Sequence, residues 1–453
     1  MPSRSLFSRL LTLAVPIMLT NLLQVTYNLV DAWFLGRVSV EAVSAPAIAF
    51  NLVFFLSVFG MGFSQAGTTV VSQSHGGGRP REVDFYASQT VSLVTLTGLL
   101  VAVIGATAVD PLLWILRVPD AALAATRVYM RIIFAGAPFM FFFFVLQGIM
   151  QGVGDSVTPF RVQLATVTLN AVLDPLLIFG WGPIPALGVA GAATATLISR
   201  GVSAGAILVI LFRGRRGVRI RRQDLVPRNG AWRQLMGIGL PMATGQGLAA
   251  LGFTVLQGVV NGFGVAVIAA FGIANRIIGM FNMPAIGLSR ATASLVGQEL
   301  GAGRPQQAQA AVRVSVCAML SFIVPAMTLT FFFGNTVVRF FVDDPEVITH
   351  GATLFRIVSV SVVPFTLFTV INGAFQGGGD TRPVMYLSVL RLWGIRVPLA
   401  MFLAWRMALG PDGIWYAMFV SNILTATIGF LILRTGRWLR QIDLAPVDRH
   451  ATG

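Results

Sequence analysis

Seventeen acidic residues occur in this 453-residue chain, and two of them, Asp31 and Asp174, fall deep inside apolar stretches. A charged, unpaired carboxylate in hydrocarbon is strongly unfavourable, so each needs a partner or a task. No nucleophile–base pair, Cys/His metal spacing or nucleotide loop accompanies them. The chemistry left to two buried carboxylates is reversible binding of a small cation, either H⁺ or Na⁺. The chain is therefore expected not to be an enzyme and to need no cofactor beyond that ion.

The neighbours of both residues are patterned. Asn21, Gln24, Asn28 and Asp31 are spaced 3, 4 and 3 apart, which places them on one helix face with Tyr27 adjacent. Gln163, Thr166, Asn170 and Asp174 form a second such face, and Thr196, Ser199 and Ser203 a third, with Thr194 nearly opposite. Polar stripes on membrane helices face protein or water. Asp31 lies five residues before Gly36 and Asp174 six before Gly180. At about 1.5 Å per residue both sit roughly 8–9 Å inside the outer end of their spans, and Thr194 and Thr196 reach a similar depth from outside. Asp31, Asn170, Asp174 and one of the two threonines are thus expected to meet and to form an oxygen cage for Na⁺. Two close carboxylates also repel, so the same set suits a proton. A structural hydrogen-bond network is the competing reading, but Asn or Ser would serve it with less desolvation.

The elements that carry these residues are membrane helices. Mean hydropathy is +0.79, 55% of residues are apolar and 11% are charged, which excludes a soluble globular domain. Twelve apolar stretches are long enough to span about 30 Å of hydrocarbon: roughly 10–36, 44–72, 85–108, 127–152, 159–181, 187–212, 234–261, 265–296, 308–333, 352–377, 384–409 and 413–434. The alternation of a β-barrel is absent. The first stretch is too long for a signal-peptide core and is read as a retained span. Cys317 is the single cysteine; His75, His350 and His450 read as solvated polar residues.

The formal charge of +15 comes from 32 basic residues, all Arg, that concentrate on one side. Arg4 and Arg9, Arg79 and Arg81, Arg161, eight Arg between Arg213 and Arg233, Arg304 and Arg313, Arg382, and Arg434, Arg437, Arg440 and Arg449 belong to one set of connections. The other set holds Asp110, Asp120, Asp343, Asp344, Glu346 and Asp412. The positive-inside rule puts both termini in the cytoplasm, and the expected location is a prokaryotic inner membrane. The basic central loop then reads as an orientation signal in contact with lipid headgroups, and no nucleic acid is expected.

Motifs repeat at an offset of 225 residues. GFSQAGTTVVSQSHGGGRP at 62–80 matches GLSRATASLVGQELGAGRP at 287–305 in nine of nineteen positions. QGVGDS at 151–156 returns as QGGGDT at 376–381, and Pro16 as Pro241. Six helices per half is an even number, so the two halves are parallel repeats about an axis along the membrane normal. The expected fold is an all-α membrane protein of twelve transmembrane helices in two six-helix lobes. The N-terminal lobe is 1–212, a basic cytoplasmic linker 213–233, the C-terminal lobe 234–440 and a tail 441–453. The carboxylates break the repeat: Asp31, Asn170 and Asp174 correspond to Leu256, Ile395 and Leu399. That asymmetry argues for a function seated in the first lobe.

Four arginines lie in or near spans. Arg200 and Arg391 are expected to snorkel to the cytoplasmic interface. Arg276 and Arg396 sit deeper, either paired with polar groups or lining a cavity. Pro16 kinks the first helix, because it cannot donate a backbone hydrogen bond.

The stretches PIMLTNLLQVTYNLVDAWFLGR and LNAVLDPLLIFG and the paired QGxGD[ST] turns resemble the multidrug and toxic compound extrusion (MATE) family, over essentially the whole chain. They look like the branch related to DNA-damage-inducible protein F. The resemblance implies a cation site in the N-terminal lobe at Asp31, Asn170 and Asp174, with Thr194 or Thr196 as a further ligand. Tyr27, Gln24 and Asn28 stand around it, with Pro16 as the kink. It also implies export of lipophilic, often cationic compounds in exchange for inward H⁺ or Na⁺, by a chain expected to be monomeric. Other branches carry a Glu in the seventh helix and an Asp in the tenth. Here those helices hold Gln246, Gln257 and Asn261, and Asn372 and Gln376, so no second carboxylate site is expected. Flipping of lipid-linked sugar intermediates is the alternative that deep arginines keep open.

Overall fold

The structure, a computed structural model, describes residues 5–214 and 217–444. Arg4, Arg449, His450 and residues 445–453 of the tail lie outside these residues, as do Arg215 and Arg216. The described residues form helices joined by short turns. In the first half these are α1 (Leu6–Leu35), α2 (Val40–Gly76), α3 (Pro80–Ile115), α4 (Asp120–Ala135), α5 (Ala137–Gly152), α6 (Val157–Ile178) and α7 (Val189–Phe212). The second half has α8 (Asn229–Asn261), α9 (Val265–Gly301), α10 (Pro305–Phe341), α11 (Pro345–Gly377), α12 (Arg382–Val389), α13 (Val397–Met401) and α14 (Pro411–Arg434). Eleven helical stretches are long and apolar enough to cross a membrane, and α4 with α5 makes a twelfth bent by 48°. The expected fourth span is therefore a broken helix. Gly136 and Pro138 explain the break, since Pro138 has no N–H to bond the carbonyl of Phe134.

The 225-residue repeat holds at the level of elements. α2 and α9 begin and end 225 residues apart, and α3 and α10 begin so. The turns that close them use left-handed glycines in matching places: Gly78 (φ 65°) and Gly303 (φ 70°), then Gly154 (φ 86°) and Gly379 (φ 77°). Matching close approaches follow. A Cβ on Gly148 would lie 2.4 Å from the Ser64 carbonyl oxygen, and one on Gly373 2.2 Å from that of Ser289. The same two serines donate hydroxyls to the Phe144 and Thr369 carbonyls.

Two helices depart from the repeat: the broken pair α4 and α5 corresponds to the continuous α11, and the counterpart of α6 is irregular. α6 is regular, but its counterpart is interrupted by two π-helical stretches, Leu390–Arg396 and Phe402–Arg406, flanking α13.

Compactness divides the chain into two units. One is Val15–Ala243 with Asp443–Gly453; the other is Met1–Ala14 with Thr244–Ile442. The divisions run through α1 and α8, each within a turn of its proline, Pro16 or Pro241, rather than through the linker. The start of α1 is tied within the second unit. Arg9 donates to the fully buried Glu299 at 2.7 Å, and Arg304 approaches the same carboxylate at 2.8 Å. The linker is tied within the first unit to α3. Arg81 pairs with Asp224, Gln89 donates to the carbonyls of Asp224 (2.6 Å) and Val226 (2.8 Å), and the Arg219 N–H donates to Asp84 at 2.8 Å. Part of this basic segment thus serves the fold as well as the expected headgroup contact. Glu299 and Asp224 are also buried carboxylates, but both are neutralised by arginine.

Candidate cation site

The ends of α1 and α6 and the starts of α2 and α7 are pinned by a buried cluster of Leu35, Ala42, Ile178 and Ala192, with Phe34, Val43 and Val189 against it. Leu35 is one turn beyond Asp31, and Ile178 one turn beyond Asp174. Helical periodicity therefore points each carboxyl to the same side as its apolar plug. The α6–α7 connection folds back tightly: the N–H groups of Leu187 and Gly188 donate to the Leu177 and Ile178 carbonyls at 3.0 and 3.1 Å. A Cβ on Gly191 would stand 2.2 Å from the Leu177 oxygen, so α7 packs on α6 at a distance only glycine permits.

Under that plug Asp31, Asn170, Asp174, Thr196 and Tyr27 are all buried. The Asn170 amide donates to Asp174 Oδ1 at 3.2 Å, and the Tyr27 hydroxyl and Thr196 Oγ1 share a hydrogen bond of 2.6 Å. Asp31 and Asp174 are near enough to repel each other. Asp31 Oδ1 and Asp174 Oδ2 are buried without a hydrogen-bond partner. Such groups are rare and costly in folded proteins. Pro175 adds to the acceptors, because its missing N–H leaves the Ala171 carbonyl without its helical partner. A buried set of oxygen acceptors short of donors fits a hard cation or a proton.

Of the two threonines, Thr196 is buried and paired with Tyr27, whereas Thr194 is half-buried and donates to the Ala190 carbonyl at 2.7 Å. Gln24 stands below the site, accepting from Gln163 at 3.1 Å and donating to the exposed Asn28 at 3.4 Å. Gln24 and Gln163 thus form a strut between α1 and α6, and of the surrounding trio only Tyr27 lies within electrostatic reach of both carboxyls. An apolar cleft of about 380 Å³, bounded by Thr26, Leu29, Val30, Trp33, Phe34 and Ala171, adjoins the same helix pair.

Two residues of the site were not expected. Arg200 does not snorkel: its guanidinium lies 5.9 Å from the centre of the Tyr27 ring and close enough to attract Asp31. Its position, one turn after Thr196 on the same face, was the available signal. Tyr129 of α4 is buried within electrostatic reach of Asp31, Asp174, Tyr27 and Arg200. Nothing in its local sequence sets it apart, since a tyrosine in an apolar helix reads as packing. Arg391 also differs from expectation, being buried against Phe365, while Arg276 is exposed.

The MatE family model matches residues 16–176 and 241–402, both repeats and most of the chain. The chain belongs to the MATE family. Its relatives include the probable multidrug resistance protein NorM of Thermotoga maritima, 27% identical over 440 residues, covering 96% of this chain and 94% of the relative. The FAD transporter of Shewanella oneidensis is 24% identical over 419 residues, covering 92% and 91%. A crystal structure of MATE in the bent conformation superposes with a TM-score of 0.89 at 24% identity, over 95% of each chain. This MATE chain is accordingly a multi-pass membrane transporter, and its two-lobe helical fold is the one that family shares.

Proposed function

We propose that the protein is a secondary active antiporter that exports lipophilic, often cationic compounds in exchange for inward H⁺ or Na⁺. The observation that carries this reading is the pair of buried carboxyls, Asp31 and Asp174, with oxygens that have no hydrogen-bond partner. A cation or proton entering from outside satisfies them; its departure to the cytoplasm leaves two like charges in a dry site. Occupancy therefore has different free energies in states that expose or enclose the site, and that difference is what drives alternating access. Kinship with the probable multidrug resistance protein NorM of Thermotoga maritima supports the multidrug cargo. The protein acts as a monomer in a prokaryotic inner membrane with both termini cytoplasmic, surrounded by lipid, and binds no nucleic acid.

Efflux of a fluorescent lipophilic cation from proteoliposomes, under a pH gradient or a Na⁺ gradient imposed separately, tests the reading. One gradient drives wild-type transport, and Asp31→Asn abolishes it. Equal transport by wild type and mutant, or indifference to both gradients, refutes it. A second reading, flipping of lipid-linked sugar intermediates, is favoured by the buried Arg391 and Arg396 and would appear as gradient-independent lipid translocation in the same vesicles.

A further inference from the structure

The second half holds a site of opposite polarity in the place that corresponds to the acidic one. Arg391 and Arg396 are the 225-residue counterparts of Thr166 and Ala171, so they stand on the helix equivalent to the one carrying Asn170 and Asp174. In an α-helix, residues five apart diverge by about 140°. The π-helical stretch Leu390–Arg396 closes i→i+5 turns and so brings the two side chains to one side. The guanidiniums are near enough to repel. Both are buried, and neither forms an ion pair with a described carboxylate.

The two are held differently. Arg396 donates to Ser421 Oγ at 2.9 Å and to Asn422 Oδ1 at 2.5 Å, and Ser421 is the counterpart of Thr196. Arg391 lies against aromatic rings: its guanidinium is 4.5 Å from the centre of the Phe365 ring and 5.8 Å from that of Phe368. Its Nε is buried with no hydrogen-bond partner. A guanidinium stacked on a ring keeps its in-plane N–H groups free, the geometry that recognises carboxylate and phosphate. Two like charges inside a membrane helix bundle without a counter-charge are strongly unfavourable unless an anion joins them.

We propose that Arg391 and Arg396 form a binding site for the anionic group, a carboxylate or a phosphate, of an amphiphilic ligand whose apolar body packs on Phe253 and Phe365. The site rests on the export reading only in making that ligand cargo. The protein would then handle zwitterionic and anionic amphiphiles as well as cations, one polarity in each half. Arg391 makes the contact; Arg396, committed to Ser421 and Asn422, supplies field and holds the π-helical segment in place.

The test uses the full chain in phosphatidylcholine nanodiscs, with equilibrium binding of pyrenebutyrate and the neutral pyrenebutanol read by fluorescence. Wild type prefers the carboxylate by about tenfold, as one charge-assisted hydrogen bond implies. Arg391→Gln lowers the preference to within about twofold, and Arg391→Lys keeps part of it. A monodisperse Arg391→Gln protein that retains the full preference overturns the proposal. Should that variant not fold, phenylglyoxal modification of wild type decides: pyrenebutyrate protects Arg391, and absence of protection overturns the site. Phosphatidylglycerol discs distinguish the source of the anion. Weakened pyrenebutyrate binding there supports the site with a lipid headgroup as its occupant, and unchanged binding supports it with a soluble compound. No transport is measured, so failure of lipophilic-cation efflux beside intact carboxylate preference removes the antiport reading alone.

Discussion

Asp31 and Asp174 differ from the chain's other buried carboxylates in lacking a cationic partner that bonds them, and this makes them the residues to change. Asp174→Asn keeps the volume and the contact with Asn170 while removing the charge. It is expected to abolish gradient-driven efflux and leave the melting temperature near that of wild type, checked by thermal unfolding in detergent. Arg200 opposes cation binding because its positive charge faces Asp31. Arg200→Gln is therefore expected to bind the coupling cation more tightly and release it more slowly. Cation titration of tryptophan fluorescence, followed by turnover at saturating gradient, reads both changes. Tyr27→Phe deletes one buried hydrogen bond to Thr196 and should lower stability by roughly 1 kcal/mol.

At the scale of elements, the site depends on how closely α6 and α7 pack and on the proline inside α1. Gly191→Leu places a side chain where the Leu177 carbonyl already stands. Overpacking of this kind costs about 1–3 kcal/mol, and here it pushes α7, which carries Thr196, away from α6, which carries Asp174, so both stability and coupling-ion affinity should fall. Pro16 has no N–H to donate within α1 and lies within a turn of the point where α1 passes from one compact unit to the other. Pro16→Ala restores a helical N–H. Hydrogen exchange across residues 12–20 is expected to slow and transport to fall, with ion binding retained. Unchanged exchange would show this part of α1 to be indifferent to the proline.

The whole molecule is a duplicated fold with unlike halves. The arginines on one face predict its orientation, an expectation that can be checked directly because Cys317 is the only native thiol. In a Cys317→Ser background, Gly182→Cys in the α6–α7 connection is expected to react with a membrane-impermeant thiol reagent in intact cells. Gly217→Cys in the linker is expected to react only after permeabilisation. The reverse pattern would invert the assigned topology. The duplication was legible because helix-closing glycines and their GRP and GD neighbours must recur wherever the same turn recurs. Arg200 was misplaced for the opposite reason: a long side chain near a helix end reads as snorkelling until its partner Tyr27, 173 positions away, is placed.

The sequence by itself determined the membrane class, the number of spans, the repeat and the two carboxylates that break it. These follow from hydropathy over one helix length, from local turn chemistry, and from the cost of charge in hydrocarbon. The tertiary structure alone decided which polar groups are satisfied. It turned Thr196 rather than Thr194 to the site, brought in Tyr129 and Arg200, and left Asp31 Oδ1 and Asp174 Oδ2 without donors. It also replaced an ordinary helix by π turns that carry Arg391 and Arg396 to one side. Helical wheels assume 3.6 residues per turn and know nothing of neighbours. Satisfaction of a buried group is a property of the groups packed around it, which only the folded chain assembles.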